Sequence, residues 1–301
     1  MAPQVAGRAV PGIPVAPLAA RSRREALVNP GATLSWGACT DRGLRRAVNE
    51  DSYLAEPPLF LIADGMGGHA GGAEASRRAL EGFAPLVGRA DVTADDVAAA
   101  FAQAAAGVGA IRTERDTAGT TLSGAVVCEI AGTTYWLVVN IGDSRTYLLA
   151  DGTLSQVSVD HSLVQAMVDG GALSADDAQR HPQRNVVTRA LGAGSSAAPD
   201  YWMLPTGDGD RVLVCSDGVT KELSTDLIRG VLLDEPSPQA AATRLVHEAL
   251  LRGGRDNTTA VVVDARIAGA LDDDPTSPGV EVDEDTRPRE PDPEGDRNAR
   301  V

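Results

Sequence analysis

The residues whose types and spacing suit chemistry are four aspartates, Asp64, Asp143, Asp217 and Asp256. Each lies where an apolar run meets a turn, and Asp64 and Asp217 directly precede a glycine. Asp64 closes the run Leu59-Phe60-Leu61-Ile62-Ala63 and opens the glycine-crowded stretch Gly65-Met66-Gly67-Gly68-His69-Ala70-Gly71-Gly72. An apolar run of that length reads as a buried strand, and the glycines permit positive φ and close backbone approach. A carboxylate at a strand end, beside backbone carbonyls, suits a hard divalent cation such as Mg²⁺ or Mn²⁺, which prefers oxygen ligands. Taken alone, the stretch fits a strand-to-helix turn with Asp64 as the helix cap equally well. The other three aspartates favour the metal. Several strand ends converging on one acidic pocket raise one another's pKa unless cations neutralise them. With four histidines, none at zinc-motif spacing, the ligation expected is by oxygen alone.

The elements that must position these residues can be read in order. Residues 1–32 mix Pro, Ala, Gly and Arg without periodicity and are expected to form a flexible arm. A short strand at Leu34–Cys39 leads into a charged, turn-like stretch that ends at Asn49-Glu50-Asp51. After the glycine turn, helical patterns cover roughly 73–87 and 94–110, the second opening with Thr93 and Asp96 in capping-box order. Thr120–Ile130, Thr134–Ile141 and Thr146–Ala150 are rich in Val, Thr, Tyr and Leu. The turns at Ala131-Gly132 and Asp151-Gly152 predict consecutive hairpins in one antiparallel sheet. Residues 160–184 carry little apolar weight and read as an inserted subdomain or mobile flap, a candidate for substrate selection. Strand-like pieces resume at 186–192, 201–204 and 210–215. Helices are expected at about 222–233 and 237–252, the latter opening on Ser237-Pro238, and a closing strand at 260–264. The folded region thus spans 33–267, followed by an acidic, proline-containing tail at 268–301 that is expected to be disordered.

Composition narrows the function classes. The chain has 301 residues and a formal net charge of −15. Residues 271–301 hold 11 acidic against 4 basic side chains, while residues 1–30 carry a net charge of +3, which leaves −11 for the middle. So acidic a middle argues against general nucleic-acid binding, which needs a basic surface, but not against phosphate chemistry in which a metal supplies positive charge locally. Cys39, Cys128 and Cys215 are few and widely spaced, with no C-x-x-C pair, so neither a disulfide framework nor a zinc site is indicated. No stretch approaches the roughly 20 apolar residues of a membrane span. The expectation is a cytoplasmic, monomeric protein.

The ordered series R-A-V-N-E-D (46–51), A-D-G-M-G-G-H (63–69), G-T-T (119–121), N-I-G-D-S-R (140–145), D-H-S (160–162), T-R-A-L-G (188–192), C-S-D-G (215–218) and D-N-T-T (256–259) resembles the bacterial metal-dependent protein phosphatases of type 2C, the PPM family. The similarity runs from about residue 35 to 266, and eight motifs in order make it specific. The resemblance implies an α+β fold of two stacked antiparallel β-sheets flanked by helix pairs, an αββα sandwich. It implies two Mn²⁺ or Mg²⁺ ions bridged by Asp64, with the Gly65 carbonyl on one and Asp217 and Asp256 on the other. Glu50 and Asp51 would hold metal-bound waters, and Asp143 would join Asp217 at a third, weaker metal site. Arg46 would grip the substrate phosphate. The implied reaction is hydrolysis of phosphoserine and phosphothreonine in proteins by in-line attack of a metal-bridging hydroxide, opposing Ser/Thr kinases in signalling. Where eukaryotic members place a histidine after Asp-Gly as a proposed general acid, this chain has Met66. His69 and His161 are left with a flap or acid role, and the anchor reading is favoured for His161. A pseudophosphatase that binds phosphoproteins without turnover is disfavoured, because the implied ligand set is complete.

Overall fold

The computed structural model describes residues 24–29, 32–67, 70–111, 118–178, 180–192 and 198–267. The expected tail at 268–301, most of the expected arm, and His69 lie outside the described residues. The chain begins with β1 (Arg24–Asn29), β2 (Ala32–Asp41), β3 (Asp51–Glu56) and β4 (Leu59–Met66), followed by α1 (Ala70–Glu81) and α2 (Ala94–Gly109). Next come β5 (Gly119–Thr120), β6 (Leu122–Ile130), β7 (Thr133–Ile141), β8 (Arg145–Ala150) and β9 (Thr153–Gln156). The short helices α3 (Leu163–Asp169) and α4 (Ala175–Ala178) lie inside the expected flap. The last third holds β10 (Asp200–Pro205), β11 (Arg211–Cys215), α5 (Asp217–Thr220), α6 (Thr225–Asp234), α7 (Pro238–Leu251) and β12 (Thr258–Ile267).

Two antiparallel sheets result, one in the order β1-β2-β12-β11-β8-β9 and the other β10-β7-β6-β4-β3, with β5 paired to the end of β4. Their central strands are apolar on both faces because both faces are covered, whereas β9 and β10 at the edges carry exposed residues. Along β4, Leu59, Leu61 and Ala63 join the layer beneath α1 and α2, while Phe60 and Ile62 point into the layer between the sheets. Along β12, Ala260 and Val262 pack beneath α6 and α7, and Val261 and Val263 face the other sheet. This period of two, buried on both sides, is what a sandwich with helices outside each sheet demands. Trp36 and Trp136 fill the middle layer. Trp36 stands edge-on to Phe60 with ring centroids 6.0 Å apart, and the buried indole N–H of Trp136 donates to Asp210 at 3.1 Å. The α+β sandwich expected from the motifs is therefore present, and Thr93 and Asp96 form a reciprocal capping box on α2.

Several expectations change. β6 and β7 form a hairpin through Ala131 and Gly132, and β8 and β9 form one through Asp151 and Gly152, all four at positive φ as a type I′ turn requires. These hairpins belong to different sheets, however. The chain crosses between them at Gly142, whose φ of +109° turns it away from β6. Strand β1 lies within the expected arm and hydrogen-bonds to β2, the following Asn-Pro-Gly sequence having the composition of a turn. Helix α1 ends at Glu81, six residues early: Pro85 cannot donate back to Glu81, and Ala84–Leu86 forms a separate 3-10 turn instead. Val186–Gly192 makes only two isolated bridges, Ser162 with Val187 and Thr120 with Leu191, instead of a strand. Among the described residues no helix is long and apolar enough to cross a membrane.

Candidate metal centre

The two sheets bring one set of strand ends together. Asp51 opens β3 and Asp64 nearly closes β4, and antiparallel pairing sets them directly opposite each other. Asp217 follows β11 as the first residue of α5, Asp256 lies two residues before β12, and Asp143 lies in the crossing between β7 and β8. Glu50 adjoins Asp51 and is buried. Like charges opposed across a strand pair repel, so this placement favours a cation between them.

Each carboxylate is held by neighbours that the motifs contain but whose roles spacing alone does not reveal. The Asp64 amide donates to the Thr121 hydroxyl at 3.0 Å, and its carbonyl accepts from the Thr121 amide and the Thr120 hydroxyl, both at 2.9 Å. The two threonines thus support the Asp64 backbone. Asp51 Oδ2 accepts from Ser216 Oγ at 2.8 Å and from Thr259 Oγ1 at 2.6 Å, tying β3 to the ends of β11 and β12. Asn257 accepts from the Glu50 amide at 2.9 Å and donates to the Arg42 and Val48 carbonyls, which locks the charged stretch against the approach to β12. Gly65 is required here, since a Cβ would come within 2.2 Å of the Gly72 carbonyl oxygen and 2.6 Å of that of Glu50.

Burial sets the electrostatics. Asp51 and Asp143 are each pushed up to about 7, first by desolvation and then by neighbouring carboxylates, chiefly Asp217. Asp64 is raised well above the carboxylate range by burial and by Asp51, Asp217, Asp143 and Asp256, and Asp217 is raised by burial despite Lys221. Two cations reach the cluster. Arg46 spans Asp256 with Nε 2.8 Å from Oδ1 and Nη2 3.0 Å from Oδ2, and Lys221 contacts Asp217 Oδ2 and lies 3.4 Å from Asp256 Oδ2. Lys221 was not singled out by the sequence, where it is one lysine four residues after an aspartate. As the side chains stand, no three His, Cys, Asp or Glu groups among the described residues close to metal-ligand spacing. Asp217 and Asp256 are instead engaged by Lys221 and Arg46. The donor set nevertheless suits a hard divalent ion: it is all oxygen, and the buried atoms Asp51 Oδ1 and Asp217 Oδ1 have no hydrogen-bond partner.

His161 is not turned toward this cluster. Its Nδ1 accepts from the Gly142 amide at 3.2 Å, which fixes the proton on Nε2, and Nε2 donates to Asp200 at 2.9 Å. Burial lowers its pKa, so the neutral ring is the stable form. Its backbone also pairs with Gly142 and Thr188, so the residue fastens the Asp143 crossing to the base of the expected flap and to β10. His161→Ala leaves the buried Gly142 N–H without a partner and is expected to lower unfolding free energy by about 1–3 kcal/mol in urea titration. An unchanged midpoint and slope would show that this anchor carries no weight.

Comparison with known proteins agrees with this geometry. The family Protein phosphatase 2C matches residues 42–249. The serine/threonine protein phosphatase PstP of Mycobacterium tuberculosis H37Rv is 41% identical over 236 residues, which cover 77% of this chain and 45% of PstP. The serine/threonine phosphatase stp of Listeria welshimeri is 32% identical over 242 residues, covering 76% of this chain and 94% of the relative. The chain thus spans just under half the length of the mycobacterial relative. The crystal structure of the M. tuberculosis PstP/Ppp superposes with a TM-score of 0.69 at 39% identity, covering 77% of this chain and 98% of that one. The PstP catalytic domain in complex with two manganese ions gives 0.70 at 36% identity, covering 78% and 99%. With fold, motif order and acidic strand ends all in agreement, the chain belongs to the protein phosphatase 2C family.

Proposed function

We propose that the chain is a metal-dependent protein serine/threonine phosphatase. The observation that carries this reading is the buried cluster in which Asp51, Asp64, Asp143, Asp217 and Asp256 meet beside Arg46, in a fold shared with PstP bound to two manganese ions. Asp64, the Gly65 carbonyl, Asp217 and Asp256 would hold two Mn²⁺ or Mg²⁺ ions, with Glu50 and Asp51 binding through water. Such ions make water nucleophilic at neutral pH and draw charge from phosphoryl oxygens. The protein's part is to place the pieces. Thr120 and Thr121 fix Asp64, Ser216 and Thr259 fix Asp51, and Arg46 offers a guanidinium fork to the phosphate.

The substrates are phosphoproteins made by Ser/Thr kinases. Val186, 44% exposed just beyond the expected flap, offers an apolar contact for a substrate peptide. Free thiols at Cys39, Cys128 and Cys215 accord with a reducing cytoplasm, and a single chain carries every group named above. The test is hydrolysis of a phosphothreonine peptide and of p-nitrophenyl phosphate by purified protein with Mn²⁺, with Mg²⁺ and with EDTA. Activity with Mn²⁺ that EDTA abolishes supports the proposal. A folded protein inactive under all three conditions sinks it in favour of phosphoprotein binding without turnover.

A further inference from the structure

Arg46 has two further arginines beside it at the mouth of the acidic cluster. Residues 42–48 form a turn-rich loop that contains Arg42, Arg45 and Arg46, and the Asn257 side chain ties both ends by donating to the Arg42 and Val48 carbonyls, each at 2.9 Å. The Leu44 amide donates to the Gly254 carbonyl at 2.7 Å, and Gly43, at φ +77°, leaves no room for a Cβ against the Asp256 carbonyl. The loop is therefore fixed on the segment that carries Asp256, which Arg46 spans. Arg46 is flanked in the chain by Arg45 on one side and by Ala47 on the other, and the Ala47 carbonyl lies 3.4 Å from Arg42 Nη1. An extended peptide advances about 3.3 Å per residue, so with its phosphate on Arg46 a side chain one or two residues away falls within reach of Arg45.

The charge of this loop is unmatched. Arginines on the helices face carboxylates, as Arg77 and Arg78 do Glu81 and Arg244 does Glu235. Among the described residues Arg42 and Arg45 have no carboxylate at ion-pair distance, and Asp41 is turned to the Gly43 amide at 2.7 Å. Both arginines are exposed, and Leu44 and Val48 on the same loop are 67% and 50% exposed. A pinned loop that presents unpaired arginines beside aliphatic side chains has the composition of a contact surface rather than of a solvated face. The chain carries a formal charge of −15, so an acidic peptide is repelled by most of this protein and meets unmatched positive charge here. We propose that Arg45, aided by Arg42, selects phosphoprotein segments with an acidic side chain beside the phosphoresidue, its guanidinium pairing with that carboxylate while Arg46 holds the phosphate. The inference rests on the phosphatase reading above and names the class of substrate sequence.

The test is a ratio of substrates. For the full-length protein at saturating Mn²⁺, kcat/KM is measured on two phosphothreonine peptides that differ only in carrying Glu or Gln on both sides of the phosphothreonine. Wild type is expected to prefer the Glu peptide about 3–10-fold, between an exposed ion pair and a charge-assisted hydrogen bond in size, with the difference in KM rather than kcat. Arg45→Gln should bring the ratio most of the way to one and Arg42→Gln part of the way. Arg45→Lys, which keeps the charge, should retain much of the preference, and Arg45→Glu should reverse it. Each variant is scored by its own ratio, so a smaller folded or metal-loaded fraction cancels. Equal values for the two peptides on wild type, or a preference that survives Arg42→Gln and Arg45→Gln together, overturns the inference and leaves the phosphatase reading standing. Wild type that hydrolyses neither peptide overturns both.

Discussion

Asp217→Asn is expected to remove nearly all metal-dependent phosphatase activity while leaving the fold intact, or even stabilising it in EDTA. The loss should exceed the roughly 10–100-fold that follows from disturbing a group behind a metal ligand, because here the proposed ligand itself is altered. The substitution keeps shape but removes charge. An amide oxygen in place of Oδ2 can still accept from Lys221, and the buried Oδ1 has no bond to lose. The charge of Asp217 is among those that raise Asp51, Asp64 and Asp143, so its removal relieves repulsion in the metal-free protein. Melting in EDTA should therefore give a Tm equal to or above that of wild type, whereas added Mn²⁺ should raise the Tm less than it does for wild type. An inactive variant with a lower Tm in EDTA would instead trace the loss to damaged packing.

The opposite signs of those two effects explain why parts of this centre were readable in the sequence and others were not. An aspartate set between an apolar strand and a glycine turn announces itself, because the strand, the turn and the charge each leave a local signature. Asp64 and Asp217 were legible for that reason. The strands buried on both faces were legible too, as near-continuous apolar runs, and the type I′ turns were named by Ala-Gly and Asp-Gly. What local pattern does not carry is the partner across the fold. Thr259 and Ser216 meet Asp51 at sequence separations above 160 residues. Lys221 becomes part of the cluster only because α5 is a single turn that carries residue 221 back onto residue 217. Sheet membership was lost at one residue. The run from Thr134 to Ala150 reads as successive strands of one sheet, but Gly142 bends the chain where a Cβ would lie 2.5 Å from the Thr121 side chain, and β8 joins the other sheet. Val186–Gly192 failed for a related reason. Its composition suits a strand, but its hydrogen bonds go to the His161 and Thr120 regions singly, so no ladder forms.

Arg46→Ala is expected to raise KM for a phosphothreonine peptide about 10–100-fold, with a much smaller change in kcat, the size being that of one or two charge-assisted hydrogen bonds. The guanidinium is placed to make such bonds. Its side chain is 47% exposed at the mouth of the cluster, and the fork that now spans Asp256 is the geometry that a phosphate would accept. Holding substrate means exchanging one anion for another, and Asp256 is relieved of its cation only when metal ions take over its charge. The assay must therefore be run at saturating Mn²⁺, or weaker competition for Asp256 in the variant will be mistaken for a change in substrate binding. Arg46→Lys should recover only part of the affinity, since a point charge cannot reproduce the two parallel bonds of the fork. A variant with unchanged KM and a collapsed kcat would place Arg46 on the transition state rather than the bound substrate, and equal losses in metal affinity would make it a support for Asp256 alone.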